Sequence, residues 1–95
     1  MKKISLGTRF QRSGHVLKQE VAGTVVLVNL DDGRYFALDE AGGRVWDLCD
    51  GSRTVSEICA IIGEEYDAPG EAIERDVAEL LSDLAHEHLV DENAH

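Results

Sequence analysis

The sequence predicts an α+β fold in which a three-stranded antiparallel meander precedes three helices. Two observations support this prediction. The segments around Ala22-Gly23 and Asp32-Gly33 are rich in β-prone residues, and both dipeptides suit the tight turns that join antiparallel strands. After Asp39 the apolar residues change to helical spacing. Because the strands come first and the helices follow, the helices are expected to pack on one face of a small sheet.

Length and composition predict one folded domain over residues 1–95. A chain of 95 residues, of which 43% are apolar, can bury one modest core. No apolar run approaches the roughly 20 residues of a membrane helix, so no membrane partner is expected. The basic start, Met1-Lys2-Lys3, leads into no signal-peptide core, which favours a cytoplasmic protein.

Three consecutive segments form the predicted meander. His15–Val21 alternates in part between apolar and polar residues, and Thr24–Leu30 is apolar on both faces, as expected of a central strand. Arg34–Leu38 is the third strand, at one edge of the sheet. The weak pattern of residues 1–14 fits either a short strand or an arm.

A two-residue turn at Asp32-Gly33 sets the register expected for this third strand. It pairs Leu30 with Tyr35. Because side chains alternate along a strand, Tyr35 and Phe36 then lie on opposite faces. Parity alone leaves open which of these two aromatic side chains points into the core.

Capping residues mark the first two predicted helices. Asp39 can cap the first helix, and Asp50-Gly51 stops it. Thr54 and Glu57 have the spacing of a capping box, in which each side chain accepts a hydrogen bond from the other's backbone N–H. The second helix is therefore expected to begin directly after Thr54.

The third predicted helix has Pro69 in its first turn and continues to about His88. Residues 91–95 are expected to form a loose tail. The helix carries a wide apolar stripe, which consists of Ile73, Val77, Leu80, Leu81 and Leu84.

The residues that usually carry chemistry show no catalytic or metal-binding pattern. Cys49 and Cys59 fall on apolar helix faces, and their spacing is not that of a zinc site, so both are interpreted as buried thiols. His86 and His88 stand two residues apart on a helix and point in different directions, so they cannot chelate one ion. No enzymatic activity and no cofactor are expected.

Charge is divided unevenly along the chain, whose net charge is −10. Residues 1–38 hold six Lys and Arg against three Asp and Glu, whereas residues 39–95 hold three against sixteen. The predicted helices are therefore strongly acidic and repel phosphate backbones. Nucleic acid is not an expected partner.

The edge of the third predicted strand is the most informative feature of the sequence. Arg34–Leu38 contains no proline and no charge after Arg34. Proteins normally protect such an edge with lysine, proline or a bulge, because a bare apolar edge aggregates. This edge is therefore either covered by the rest of the chain or kept open to receive another strand.

Six segments, in order and spacing, resemble the PqqD-like family over about residues 15–90. They are Gly33–Asp39, Ala41-Gly42, Trp46, Asp50–Thr54, Glu64–Asp67 and Asp76–Val90.

The resemblance implies a winged-helix-like domain that binds the leader segment of ribosomally made precursor peptides without catalysing a reaction. It implies that the leader adds as a strand to the third strand, packs against the third helix, and is presented to a maturation enzyme. A radical-SAM enzyme and a leader peptidase are both compatible with this interpretation. The family includes PQQ-biosynthesis chaperones and lasso-peptide recognition proteins.

The expected peptide-binding residues therefore lie on the third strand and the third helix. Leu81, with its neighbours Ala78 and Ala85, is interpreted as the wall of the groove, and Leu84 as core. The full set is Arg34, Tyr35, Phe36, Ala37, Leu38, Glu74, Val77, Ala78, Leu81 and Ala85.

Two other functions are compatible with parts of the sequence. The second and third helices could form the helix-turn-helix of a winged-helix transcription regulator, but Arg75 is the only Lys or Arg of the third helix, and a DNA reader needs cations there. A small enzyme or metal protein is the third alternative, which metal analysis of the purified protein would test.

Overall fold

The structure, a computed structural model, describes residues 4–93. Within that range the fold is α+β, with three helices and antiparallel strands, as the sequence predicts. The strands form two sheets of three strands each instead of one meander. In chain order the elements are β1 (Arg9–Arg12), β2 (Val16–Val21), β3 (Thr24–Asn29), β4 (Tyr35–Leu38), α1 (Glu40–Leu48), β5 (Asp50–Thr54), α2 (Val55–Tyr66), α3 (Gly70–His86) and β6 (Val90–Glu92).

The predicted meander is the sheet with strand order β2-β3-β4. Val21 pairs with Thr24, so Ala22 and Gly23 alone connect β2 to β3. Both residues have positive φ, 50° and 85°, which is the backbone of a type I′ turn. The β2–β3 hairpin is thus confirmed.

The β3–β4 connection is longer than predicted. The Asn29 N–H donates to the Arg34 carbonyl at 2.8 Å, so four residues, Leu30–Gly33, form the loop. Val28, not Leu30, pairs with Tyr35, and the two-residue turn predicted at Asp32-Gly33 is wrong. Side-chain oxygens close the longer loop, because Asn29 accepts from the backbone of Asp31 and Asp32 from that of Arg34, both at 2.9 Å.

A second sheet, with strand order β5-β1-β6, was not predicted and does not fit a meander followed only by helices. Arg9 pairs with Thr54, and Phe10 pairs with Glu92. Residues 9–12 therefore form a strand, and the first two residues of the expected loose tail, Asp91 and Glu92, belong to β6. The winged-helix description of the fold is not confirmed.

The caps of α1 and α2 agree with the sequence. Asp39 Oδ1 accepts from the Gly42 N–H at 2.7 Å, which caps α1. Thr54 and Glu57 form both hydrogen bonds of the capping box before α2. Pro69, predicted in the first turn of α3, is instead its N-cap, and the helix ends at His86, two residues before the predicted end. No helix among residues 4–93 is long and apolar enough to cross a membrane.

One hydrophobic core joins the inner face of the meander to all three helices. Its most enclosed side chains are Phe10, Leu27, Cys49, Val55, Ile58, Leu81, Leu84 and Val90. Gly43 brings α1 close to the sheet, because a Cβ at this position would lie 2.5 Å from a methyl carbon of Val25. Cys49 and Cys59 are free and buried, and burial raises the pKa of the Cys49 thiol to about 12.

Candidate functional site

The outer edge of β4 carries no neighbouring strand in the described chain, because β4 pairs only with β3. Hydrogen-bonded pairs alternate along an antiparallel ladder. The bond between Asn29 and Arg34 makes Phe36 and Leu38 the residues that bond to β3. The backbone N–H and C=O groups of Tyr35 and Ala37 therefore point away from β3, toward the open edge.

The structure decides which face of β4 is core. Leu38 is 6% exposed and Phe36 is half-buried against the core, on the side of Leu27. Tyr35 lies on the opposite face and is 75% exposed, and Ala37 is exposed beside it. Phe36 is therefore the aromatic residue that points inward, and Tyr35 faces solvent.

A cleft of about 550 Å³ lies between β4 and α3, alongside the open edge. Its apolar lining comes from Phe36, Leu38, Val45, Ile62, Ile73, Val77 and Leu80. Because main-chain donors and acceptors stand next to apolar side chains, this cleft has the two components that bind an extended peptide.

The charged residues of the cleft are all acidic. Two carboxylates at its rim, Glu79 and Asp83, belong to α3 and are exposed. Arg44 and Glu65 lie outside the cleft, in a neighbouring pocket, where two guanidinium nitrogens donate to the Glu65 carboxylate at 2.8–3.1 Å and lower its pKa. Burial, followed by the nearby Glu40, raises the pKa of Tyr66. Tyr66 therefore lines the cleft as a neutral side chain at physiological pH.

A second, smaller pocket of about 300 Å³ continues past the other end of β4. Its lining includes Arg34, Tyr35, Phe36, His86 and His88. The five residues predicted on the third strand thus lie together, with Arg34 and Tyr35 at this pocket and Ala37 and Leu38 at the larger cleft. Phe36 lines both.

The residues predicted on the third helix are only partly brought to the cleft. Val77 lines it, whereas Ala78, Ala85 and Glu74 are absent from its lining. Leu81 is fully buried, so the prediction that it forms the groove wall is wrong. Leu80, not Leu81, lines the cleft. Adjacent residues on a helix point about 100° apart, so Leu80 faces the cleft while Leu81 faces the core.

Sequence reasoning also missed the acidic side of the cleft, including Asp76, Glu79 and Asp83. A usable signal was present: Leu80 sits at the border of the apolar stripe and is flanked by Glu79 and, one turn later, by Asp83. An apolar residue at the border between core and solvent faces is the position expected at the edge of a groove.

The fold and the site together define a small α+β domain that keeps one strand edge open beside a helix. The family model described as "Coenzyme PQQ synthesis protein D (PqqD)" matches residues 24–90. The chain belongs to this family, as the resemblance indicated.

The chain is also similar to three individual proteins. The PqqA binding protein of Gluconobacter oxydans (strain 621H) is 32% identical over 77 residues, which cover 81% of this chain and 79% of that protein. The structure of TbiB1 in complex with the TbiA(beta) leader peptide is 33% identical, with a TM-score of 0.76, and covers 90% of this chain and 99% of TbiB1.

The third is the PqqD truncation of Methylobacterium extorquens PqqCD, described as a functional and stand-alone RiPP recognition element. It is 30% identical, with a TM-score of 0.78, and the match covers 93% of this chain and 94% of that one. By contrast, the match to a bifunctional coenzyme PQQ synthesis protein C/D covers 16% of that longer protein.

Proposed function

We propose that this chain captures the leader segment of a ribosomally made precursor peptide by strand addition to β4. The observation that carries the proposal is the open edge itself, with the main-chain groups of Tyr35 and Ala37 directed away from β3 beside an apolar cleft. Two relatives support the proposal. One is named a PqqA binding protein, and the structure of the other contains a bound leader peptide.

Strand addition assigns different tasks to alternate residues of β4. Tyr35 and Ala37 each offer one N–H and one C=O to the added strand, and these four groups supply affinity that is independent of the leader's sequence. The apolar side chains of Phe36, Val77 and Leu80 line the cleft in which the leader's side chains bind. Their shapes select among leaders.

The bound leader is then presented to a maturation enzyme, and the chain itself catalyses nothing. The non-catalytic role is supported by the relatives, which are named as a PqqA binding protein and as a recognition element. A radical-SAM enzyme and a leader peptidase are the two partner types that suit the proposal. The acidic rim of α3 disfavours nucleic acid at the same cleft.

Amide chemical shifts of ¹⁵N-labelled protein test the proposal. The protein is titrated with the PqqA peptide and with the TbiA(beta) leader peptide, the two ligands named for its relatives. Shifts are expected to concentrate in β4 and in Ile73–Asp83 of α3. Saturable shifts confined to β5, β1 and β6 would refute the proposed site.

A further inference from the structure

The cleft beside β4 has a one-sided electrostatic character. Every charged residue that lines it is a carboxylate, and its lining contains no Lys, Arg or His. The four carboxylates are Asp39, Asp76, Glu79 and Asp83.

Most of this negative charge is not neutralised within the described chain. The side chains of Glu79 and Asp83 have no ion pair or hydrogen bond to residues 4–93. Asp76 has only a 3.6 Å contact with Arg75, and both side chains are 70% exposed, so the pair contributes little. Asp39 is occupied as the cap of α1.

Three carboxylates elsewhere in the described chain have cationic partners within about 3 Å, whereas others, such as Glu64 and Glu71, are exposed without one. The three pairs are Lys18 with Asp47, Arg44 with Glu65, and Arg53 with Asp50. The rim is distinct in its position, because its unpaired carboxylates line the same cleft as the open edge of β4 and the apolar side chains.

The spacing of the rim fits an extended peptide. Asp76, Glu79 and Asp83 stand at positions i, i+3 and i+7, so they lie along one side of α3 over about 10 Å. Every second residue of an added strand faces the same way, at intervals of about 6.6 Å. Two or three successive side chains facing α3 would therefore lie within reach of these carboxylates.

We infer that the cleft selects leaders in which the side chains facing α3 combine apolar residues with Lys or Arg. The apolar residues occupy the lining formed by Phe36, Val77 and Leu80, and the basic residues meet the rim. Acidic residues at these positions are disfavoured by like-charge repulsion. This inference rests on the proposed function, since it concerns a peptide added to β4.

Selection from a random library tests the inference without a known leader. Phage displaying random peptides of about 12 residues are selected on the wild-type protein and on the rim variant Asp76→Asn/Glu79→Gln/Asp83→Asn. The control variant Glu20→Gln/Glu64→Gln/Glu71→Gln removes the same amount of charge from exposed positions outside the cleft.

The expected result is enrichment of Lys and Arg over Asp and Glu, at alternate positions, in the wild-type and control pools but not in the rim-variant pool. A synthetic peptide from the wild-type pool should bind about fivefold more weakly at roughly 500 mM than at 50 mM salt, because exposed ion pairs are screened. The same peptide should show a much smaller salt effect with the rim variant.

The remaining outcomes separate this inference from the proposed function. Selected peptides that lose affinity for Ala37→Pro but show no basic enrichment would overturn the inference and leave strand addition standing. Equal basic enrichment in all three pools would overturn it too, by assigning the attraction to the net charge of −10. Peptides that bind Ala37→Pro as well as wild type, or no enrichment at all, would contradict both.

Discussion

Ala37→Pro should remove leader binding while leaving the fold in place. The Ala37 N–H points toward the open edge, since the ladder bonds to β3 come from Phe36 and Leu38. Proline removes that donor and costs the sheet no hydrogen bond. An edge strand is also the place in a sheet where proline is tolerated.

The size of the effect follows from one lost hydrogen bond and from the carbonyl of the leader that is left without a donor. A neutral hydrogen bond contributes about 0.5–1.5 kcal/mol net, and leaving the leader's carbonyl without a donor costs about 1–3 kcal/mol. Since about 1.4 kcal/mol is a factor of ten, the expected loss of affinity is roughly 10- to 100-fold. The free energy of unfolding should change by less than about 1 kcal/mol, because the Ala37 side chain is exposed.

Two measurements check this prediction. Isothermal titration with a bound leader gives the affinity, and urea unfolding gives the stability. Ala37→Thr is the matched control, since it alters the same exposed side chain, suits a strand and keeps the N–H. It should bind within about twofold of wild type. A folded Ala37→Pro protein with wild-type affinity would refute strand addition at this edge.

Four further predictions follow from the same structure. Leu80→Asp should weaken leader binding at least tenfold with little loss of stability, whereas Leu81→Asp should unfold the domain, because it buries an unpaired carboxylate. Thermal melts give the stability of both variants, and titrations give their affinity for the leader. Gly43→Ala should lower the free energy of unfolding by about 1–3 kcal/mol, measured in urea, through its clash with Val25. The Cys49 thiol, with its pKa raised to about 12, should resist alkylation at pH 8 until the protein unfolds, as mass spectrometry would show. A gel shift at low salt should detect no duplex DNA binding.

Local signals explain how much of the fold was predictable. Ala22-Gly23, Asp39 and the Thr54/Glu57 pair each act within a few residues, and the structure confirms all three. The edge position of β4 was predictable for the same reason, because a meander that ends at residue 38 leaves its last strand with one neighbour.

Local signals could not predict the second sheet, because its strands are far apart in the sequence and meet only in the tertiary structure. β5 is Asp-Gly-Ser-Arg-Thr, which has no β-strand composition, and β6 has three residues. Their pairing with β1 joins residues about 40 and 80 positions apart in the chain. Strand propensity is weak enough that this context decides it.

The sequence predicted the two elements that border the cleft, β4 and α3, but not which side of α3 faces it. Leu80 and Leu81 are equally apolar and both belong to the wide stripe, so periodicity cannot separate core from cleft. The distinction depends on where β4 and α2 approach the helix. The structure shows the difference between the two residues, because Leu81 is fully buried and Leu80 is only partly buried.

Hydrogen exchange of the β4 amides, with and without bound leader, tests strand addition most directly. The Phe36 and Leu38 amides already bond to β3 and should be protected in both states, whereas those of Tyr35 and Ala37 should exchange fast in the free protein. Leader binding should slow Tyr35 and Ala37 at least tenfold and leave the other two nearly unchanged. Tight binding of the leader with Tyr35 and Ala37 still exchanging fast would contradict the account.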